Sequence, residues 1–197
     1  MRLCVATKNK NKLKEIKEIL SDLNIDVHSA YDFLEDDFDV DETGATFEEN
    51  ASLKADALSA LIADTYVIAD DSGLCVEALN GAPGIYSARY AGETASDSDN
   101  NKLLLKNMEN VDDKDRDAKF VCAISLSKNG VTEKTFYGEC VGVLSREERG
   151  ENGFGYDPLL VMPDGRSLGE FSPEEKNKIS HRFKALELLK SYFAKQN

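Results

Sequence analysis

Hydrophobic and polar positions in the first part of the chain follow two different spacings. An apolar run at residues 2–6 predicts a short buried strand. In residues 10–23, apolar side chains recur from Leu13 onwards at i, i+3, i+7 and i+10, with lysines and glutamates between them, which predicts an amphipathic helix. A strand followed by a turn and a helix is typical of α/β proteins.

A second helix and a second strand follow an acidic segment, residues 32–43, which we expect to form a loop. Thr46 and Glu49 have the spacing of a capping box and predict that a helix begins there. The next apolar run predicts a buried strand. Asp70 and Asp71 come at the end of that run, and we expect them to lead into a glycine-bearing turn.

The second half of the chain contains the clearest hairpin signal. Two β-rich runs within residues 118–144 flank Asn129-Gly130, a pair that tolerates positive φ and favours a tight turn. Ser172, as an N-cap, starts the last predicted helix, which we expect to be continuous. Because a hairpin lies beside strand–helix units, we predict an α/β fold with a mixed β-sheet, as a single domain over residues 1–197.

Composition narrows the possible functions. The 197 residues are 41% hydrophobic and 31% charged, as in globular proteins generally. The net charge of −13 argues against a nucleic-acid partner, so an anionic ligand must be attracted by local positive charge or by a cation. No apolar run approaches the ~20 residues that span a bilayer, and we see no signal peptide. We therefore expect a cytoplasmic protein with no membrane partner and with reduced cysteines.

The segment "ATKNKNK" lies at the first junction between a strand and a helix, and it brings a hydroxyl, Thr7, and three lysines, Lys8, Lys10 and Lys12. A helix N-terminus attracts phosphate through its N–H groups and its partial positive charge. The glycines of a Walker P-loop are missing. The segment is therefore either a phosphate-binding turn or a solvated basic turn that caps the helix.

Acidic residues in two other segments have the chemistry of a magnesium site. Glu42 precedes the capped helix, and Asp70 and Asp71 follow a strand. Magnesium is usually held by one or two carboxylates together with substrate phosphates. Since successive strand residues point to opposite faces, we expect the two aspartates to have different roles, one bracing the turn and the other facing a ligand. The alternative is that both segments are solvated loops.

The C-terminal part of the chain contains two further candidates. "GFGYDP", residues 153–158, offers aromatic rings beside backbone donors, which suits the stacking and edge recognition of a base, although a packed aromatic turn has the same pattern. In "EEKNKISHR", Lys176 and Ser180 are one helical turn apart. His181 and Arg182 lie off the apolar stripe, so we expect them to face a ligand, or else to be surface residues.

Taken together, "ATKNKNKLKEI", "ETGATFEENASLKA", "IADDSGLCVEALNGAPGIYSARYAG", "GFGYDPL" and "EEKNKISHR" resemble, in order and spacing, the inosine triphosphate pyrophosphatase family. The resemblance covers nearly the whole chain. It implies a mixed twisted β-sheet with flanking helices, two lobes around a long cleft, and a homodimer. It also implies magnesium-dependent hydrolysis of non-canonical purine nucleotides (ITP, dITP and XTP) to the monophosphate and pyrophosphate, which removes deaminated purines from the nucleotide pool.

The resemblance also implies roles for particular residues. Glu42 and Asp71 are expected to bind Mg²⁺, and Asp71 to accept the proton. Some relatives carry tryptophan at the position of Tyr156, and this chain has no tryptophan. The expected substrate-binding residues are Thr7, Lys8, Asn9, Lys10, Asn11 and Lys12 on the triphosphate, Lys54 on a phosphate, Ser72, and Phe154, Gly155, Tyr156, Asp157, Lys176, His181 and Arg182 around the base and sugar.

Two other functions remain open from the sequence. One is a house-cleaning pyrophosphatase for modified pyrimidine triphosphates, as in the structurally related septum-inhibitor family. The other is a nucleotide-sensing module that binds without hydrolysis, although carboxylates at both candidate metal positions contribute little to the simple binding of an anion.

Overall fold

The computed structural model describes residues 2–23, 25–32 and 39–195, so residues 33–38 of the predicted acidic loop lie outside the described part. The strands are β1 (Arg2–Val5), β2 (Asp26–Ser29), β3 (Tyr66–Val76), β4 (Asp117–Lys128), β5 (Val131–Leu144) and β6 (Leu160–Val161). The helices are α1 (Lys10–Ile19), α2 (Phe47–Leu61), α3 (Asp97–Asn107), α4 (Pro173–Lys176) and α5 (His181–Ala194), with short 3₁₀ turns between some elements.

Within the described residues, six strands form one sheet in the order β2-β1-β3-β4-β5-β6. β1 is parallel to both β2 and β3, whereas β5 and β6 are antiparallel. The predicted α/β fold with a mixed sheet is therefore confirmed. Asn129 and Gly130 both have positive φ and join β4 to β5, as the hairpin signal predicts. No helix in the described part of the chain is long and apolar enough to cross a membrane.

The chain divides into two compact units. Unit 1 has a core formed by side chains of the sheet, α1 and α5, among them Leu3, Ile16, Ile68 and Leu186. Unit 2 has its own core. Unit 1 comprises Met1–Asp71, Cys122–Gly138 and Arg182–Asn197, and unit 2 comprises Ser72–Val121 and Glu139–His181. The single domain over residues 1–197 stays a prediction.

β3 differs from its prediction. The expected turn at Asp70 and Asp71 is wrong, because the strand continues to Val76. Further along it, a Cβ on Gly73 would lie 2.3 Å from the carbonyl oxygen of Gly84 and 2.4 Å from Oγ of Ser87. The glycine is therefore required by the close approach of a neighbouring backbone, and it does not mark a turn.

Helix starts are predicted better than helix lengths. Ser172 caps α4 with a complete capping box, as predicted, but α4 ends at Lys176. The N–H groups of Ile179 and Ser180 both bond back to the carbonyl of Lys176, which makes a tight turn before α5. The single continuous helix predicted from Ser172 is therefore wrong, because periodicity alone does not reveal the interruption.

The start of α2 follows the prediction with one difference. Oγ1 of Thr46 accepts a hydrogen bond from the N–H of Glu49, at 3.1 Å. The carboxylate of Glu49 accepts its bond from the N–H of Ala45, at 2.6 Å. The helix begins at Phe47, as predicted, with the glutamate reaching one residue beyond the N-cap.

Candidate active site

Asp70 is a buried carboxylate with two cationic partners in unit 1. Nε and Nη2 of Arg182 donate to its Oδ2 at 3.2 and 2.9 Å, and Nζ of Lys12 lies 3.3 Å from its Oδ1. Nη1 of Arg182 also donates to the carboxylate of Glu15. Burial alone would raise the pKa of Asp70, but Lys12 and Arg182 lower it well below its usual range. Asp70 is therefore ionised and anchors both cations.

Asp71 has a different environment. Nδ2 of Asn50 donates to its Oδ2 at 3.2 Å, and Nζ of Lys54 lies 3.9 Å from its Oδ1. Burial raises the pKa of Asp71, while Lys54 and Lys12 oppose the shift and Glu42 adds to it. A carboxylate with a raised pKa accepts a proton more readily near neutral pH than an exposed aspartate does. The expected difference in role between Asp70 and Asp71 is thus matched by a difference in their partners.

Lys54 links the two predicted metal ligands. Its Nζ donates to Oε1 of Glu42 at 2.6 Å and to the carbonyl oxygen of Asp70 at 2.9 Å. Burial would lower the pKa of Lys54, but Asp71 and Glu42 raise it, so the group remains an ammonium ion. Two carboxylates from separate segments therefore face one cationic group.

This donor set fits a magnesium ion. Carboxylate oxygens are hard ligands, and Glu42 and Asp71 converge on a single positive charge. Among the described residues, no group of three or more His, Cys, Asp or Glu side chains has the arrangement of a metal centre. Two carboxylates with substrate phosphates completing the coordination is the usual mode for magnesium.

The predicted phosphate segment forms the start of α1. The side chain of Asn9 caps the helix by accepting from the N–H groups of Asn11 and Lys12, at 2.9 and 3.1 Å. Oγ1 of Thr7 accepts from the N–H of Asn9 at 3.2 Å. Two donors of the first turn are thus already bonded to protein. Among the lysines, Lys8 pairs with Asp39 at the surface, Lys10 is exposed, and Lys12 joins the buried cluster at Asp70.

In unit 2, Asp157 organises the predicted base-binding loop. Its Oδ2 accepts from Nζ of Lys176 at 2.5 Å and from the N–H of Phe154 at 2.9 Å. Nζ of Lys176 also lies 4.7 Å from the ring centroid of Phe154, within the range of a cation–π contact. Both charged side chains are nearly inaccessible, at 2% and 3% exposure. The structure therefore brings three of the predicted residues together.

Helix α3 holds the same loop by the peptide groups of Gly155. Oδ2 of Asp97 accepts from the Gly155 N–H at 2.7 Å, and Nδ2 of Asn101 donates to the Gly155 carbonyl at 3.2 Å. Gly155 has φ of +61°, which glycine adopts without strain. These two side chains, one helical turn apart, fix the backbone beside Phe154.

Several predicted contacts are packed inside the protein. Tyr156 is 4% exposed and its hydroxyl donates to the carbonyl of Ser87 at 2.8 Å. His181 stacks on Phe120, with ring centroids 4.8 Å apart. The alternative that His181 and Arg182 are surface residues is wrong, since both side chains are buried, and their role at a ligand stays a prediction. The spacing of apolar residues does not reveal that a charged or polar side chain is buried when it is paired with an ion or stacked on a ring.

The chain matches a known protein family over nearly its whole length. The model of the Ham1 family matches residues 3–192. This chain belongs to the Ham1 family. Among Ham1-family relatives, a dITP/XTP pyrophosphatase of Staphylococcus epidermidis strain RP62A is 50% identical, covering 96% of this chain and 95% of the relative. One from Geobacter sulfurreducens is 49% identical, covering 99% and 98%.

Solved Ham1 structures have the same fold. The Ham1 protein of Staphylococcus aureus is 43% identical, covers all of both chains and has a TM-score of 0.89. The HAM1 protein of Coxiella burnetii is 41% identical, covers 99% of both chains and also has a TM-score of 0.89. The family resemblance inferred from the motifs is therefore confirmed.

Four residues of these clusters have no role in the sequence analysis. Glu15, Asn50, Asp97 and Asn101 each bond a predicted site residue or its backbone. Asn50 and Lys54 are separated by one turn of α2, and residues four apart lie on the same face of a helix. The spacing of the asparagine from the candidate lysine could therefore have indicated Asn50 as a further site residue. The functional roles of the sequence-predicted residues stay predictions.

Proposed function

We propose that this protein is a nucleoside triphosphate pyrophosphatase that hydrolyses ITP, dITP and XTP to the monophosphate and pyrophosphate, and so removes deaminated purines. Membership of the Ham1 family and relatives that bear the name dITP/XTP pyrophosphatase support it. The observation that carries the proposal is the convergence of Glu42 and Asp71 on Lys54. This cluster combines carboxylates, which can bind a metal ion, with an ammonium group, which can stabilise negative charge on phosphate oxygens.

Asp71 is the proposed proton acceptor. Cleavage between the α- and β-phosphates requires water in line with the leaving pyrophosphate, and a positioned general base contributes typically ~10²–10⁴-fold. An aspartate at its ordinary pKa of about 3.9 is a weak base at neutral pH. Burial raises the pKa of Asp71, which makes it better suited to hold and deprotonate that water.

The lysines of unit 1 provide the positive charge that a protein of net charge −13 lacks overall. Lys12 pairs with the buried Asp70 and Lys54 with the half-buried Glu42, so each ammonium group is held in a defined position. We propose that they donate to phosphate oxygens and neutralise the charge that develops on the leaving pyrophosphate. Thr7 and the residues from Lys8 to Asn11 are proposed to contact the polyphosphate around them.

Glu42 and Asp71 would hold Mg²⁺. When bound, the metal supplies charge neutralisation at phosphate oxygens and lowers the pKa of coordinated water. The proposed role of the protein is to hold the two carboxylates so that they face one point. The bond of Lys54 to Glu42 and its approach to Asp71 support this proposal.

Recognition of the base is proposed for the loop of unit 2. Phe154 offers a ring for stacking, and donors such as Lys176 suit the 6-keto oxygen of hypoxanthine and xanthine, where adenine has an amino group. A donor that faces another donor is left unsatisfied, at a cost of ~1–3 kcal/mol for each buried group. Arg182 donates to Asp70 and Glu15, which hold its guanidinium group in a defined position, and its role at the base is part of the proposal.

A substrate panel tests the proposal. ITP, dITP, XTP, ATP, GTP and modified pyrimidine triphosphates are assayed separately for pyrophosphate and orthophosphate release, with and without Mg²⁺. We expect pyrophosphate from ITP, dITP and XTP, much faster than from ATP, and only with the metal. Orthophosphate as the product, equal turnover of ATP, or preference for modified pyrimidines would contradict the proposal. Calorimetric binding of ITP without single-turnover chemistry would favour the sensing module.

The cytoplasmic location and the homodimer also stay predictions. Sedimentation at micromolar concentration tests the second, where we expect a species of about twice the mass of the 21.8 kDa chain. A single species at the monomer mass would refute the dimer without affecting the proposed reaction.

A further inference from the structure

We propose that Asn50 is a positioning residue, which binds Oδ2 of Asp71 and so directs Oδ1 of the same carboxylate towards Lys54. The inference rests on the proposed function, in which both carboxylates act. Nδ2 of Asn50 donates to Oδ2 of Asp71 at 3.2 Å. The other oxygen, Oδ1, is the one that lies 3.9 Å from Nζ of Lys54, which in turn donates to Glu42. The amide thus occupies one oxygen and leaves the other directed towards the cation.

The opposite end of the same amide bonds the segment that carries Glu42. Oδ1 of Asn50 accepts from the N–H of Gly44 at 2.8 Å, two residues after Glu42. A Cβ on Gly44 would lie only 2.7 Å from that oxygen, so the backbone packs directly against the amide. One side chain therefore connects the two carboxylate-bearing segments.

The partners of Asn50 also determine the orientation of its amide. A backbone N–H is a donor and requires the amide oxygen, while an ionised carboxylate only accepts and requires the amide nitrogen. Reversing the amide would place donor against donor at Gly44 and oxygen against oxygen at Asp71. An aspartate at position 50 would keep the acceptor for Gly44 and lose the donor to Asp71.

The position of Asn50 is fixed by the helix that carries it. The residue is 0% exposed, and Ala51, Ala55 and Leu58 of α2 are buried too. Lys54, one turn further along, reaches the same pair of carboxylates. Groups on a packed helix are held more precisely than groups on loops. A misplacement of about 1 Å in a catalytic group can cost on the order of 10²-fold in rate.

The test compares Asn50→Ala and Asn50→Asp with a matched control, Asn100→Ala. Asn100 is also a buried helical asparagine, whose Oδ1 accepts from the N–H of Ala91 at 2.8 Å and whose Nδ2 donates to the carbonyl of Ala88 at 3.2 Å. Asn100→Ala therefore also loses one bond accepted from a backbone N–H and one bond donated by the amide nitrogen. The acceptor of that second bond is a carbonyl and not a carboxylate.

With ITP as substrate, we expect both Asn50 variants to lower kcat by on the order of 10²-fold with KM little changed. Asn100→Ala should lose thermal stability comparably and keep its kcat per folded molecule. Wild-type kcat in Asn50→Asp would overturn the inference, because that variant keeps the bond to Gly44. A loss in Asn50→Ala no larger than in the control would overturn it too.

Crystal structures of the wild type and Asn50→Ala provide a readout that does not depend on turnover. We expect the Asp71 carboxylate to rotate or to occupy several orientations when the amide is removed. An unchanged orientation would overturn the inference. A wild type that releases no pyrophosphate from ITP would refute the proposed function, while these structures would still decide whether Asn50 orients Asp71.

Discussion

Asp70 and Asp71 are adjacent in β3, and their side chains have pKa shifts of opposite sign. The pKa of Asp70 is lowered, since Lys12 and Arg182 outweigh the effect of burial. The pKa of Asp71 is raised, mainly by burial, because its cationic neighbours do not compensate for it. A one-residue step along the strand thus separates a structural ion pair from a carboxylate suited to accept a proton.

Asp70→Asn should strongly destabilise the protein. Breaking a buried ion pair leaves its partners, Lys12 and Arg182, without their shared anion, which typically costs ~3–5 kcal/mol. Because the folded pKa is lowered, the stability that the ionised group contributes is fully present above its unfolded pKa of about 3.9 and is lost as the pH falls towards the folded value. Urea unfolding of the wild type and the variant, from neutral to acidic pH, measures the difference in their free energies of unfolding. A difference in the free energy of unfolding that stays constant over that pH range would contradict a lowered pKa for Asp70.

Asp71→Asn should abolish turnover and raise stability. The folded pKa is raised, so ionisation of Asp71 opposes folding above that pKa, and the cost disappears as the pH falls through it. At neutral pH we therefore expect a higher thermal midpoint than in wild type, with ITP turnover reduced by about 10²-fold or more. Calorimetry and the pyrophosphate assay check the two outcomes. Wild-type turnover would remove Asp71 from the mechanism.

Lys54→Met should make the protein depend more on magnesium. Removing the ammonium leaves the carboxylates of Glu42 and Asp71 without their common cation, so we expect a lower thermal midpoint without added metal. A divalent cation at the two carboxylates should restore more stability in the variant than it adds to wild type. Thermal unfolding with EDTA and with millimolar Mg²⁺ measures this. Lys10→Met, at an exposed position, is the control and should respond as the wild type does.

Asn101→Ala should weaken nucleotide binding. The variant loses the bond to the carbonyl of Gly155, and the peptide groups of Gly155 keep only the bond from the N–H to Asp97 among the two that α3 provides. We expect KM for ITP to rise several-fold with a smaller change in kcat, since the loop is proposed to contact the base and not the reacting phosphates. Asn107→Ala, on the same helix but exposed, is the control. Equal KM values in the two variants would contradict a role in nucleotide binding for the bond from Asn101 to Gly155.

Local chemistry predicted much of the fold. The Asn129-Gly130 turn and the caps at Thr46 and Ser172 depend on a few adjacent residues, and all three occur as predicted. The interruption before α5 has no comparable local signal. It separates two charged side chains, Lys176 and Arg182, that have different buried partners.

The sequence motifs predicted which residues belong to the candidate site. They did not predict the hydrogen bonds and ion pairs that hold those residues in place. A run of Asp-Asp-Ser-Gly resembles a turn, but here it is part of β3, which lies between β1 and β4, and Asp70 has its partner 112 positions away, at Arg182. Asn50 lies inside one of the quoted motifs, yet only the structure shows its bond to Asp71. Long-range pairing of polar groups overrides the local tendency of such residues to form loops.

Gly73 limits how this enzyme can be altered. Any side chain there would displace the carbonyl of Gly84 or the hydroxyl of Ser87, and Ser87 is itself the acceptor for the N–H of Leu74. Directed evolution that seeks a new substrate range therefore gains nothing by randomising this position. Library diversity is better placed around Phe154, where a change of ring alters the proposed base-binding surface without rebuilding a strand.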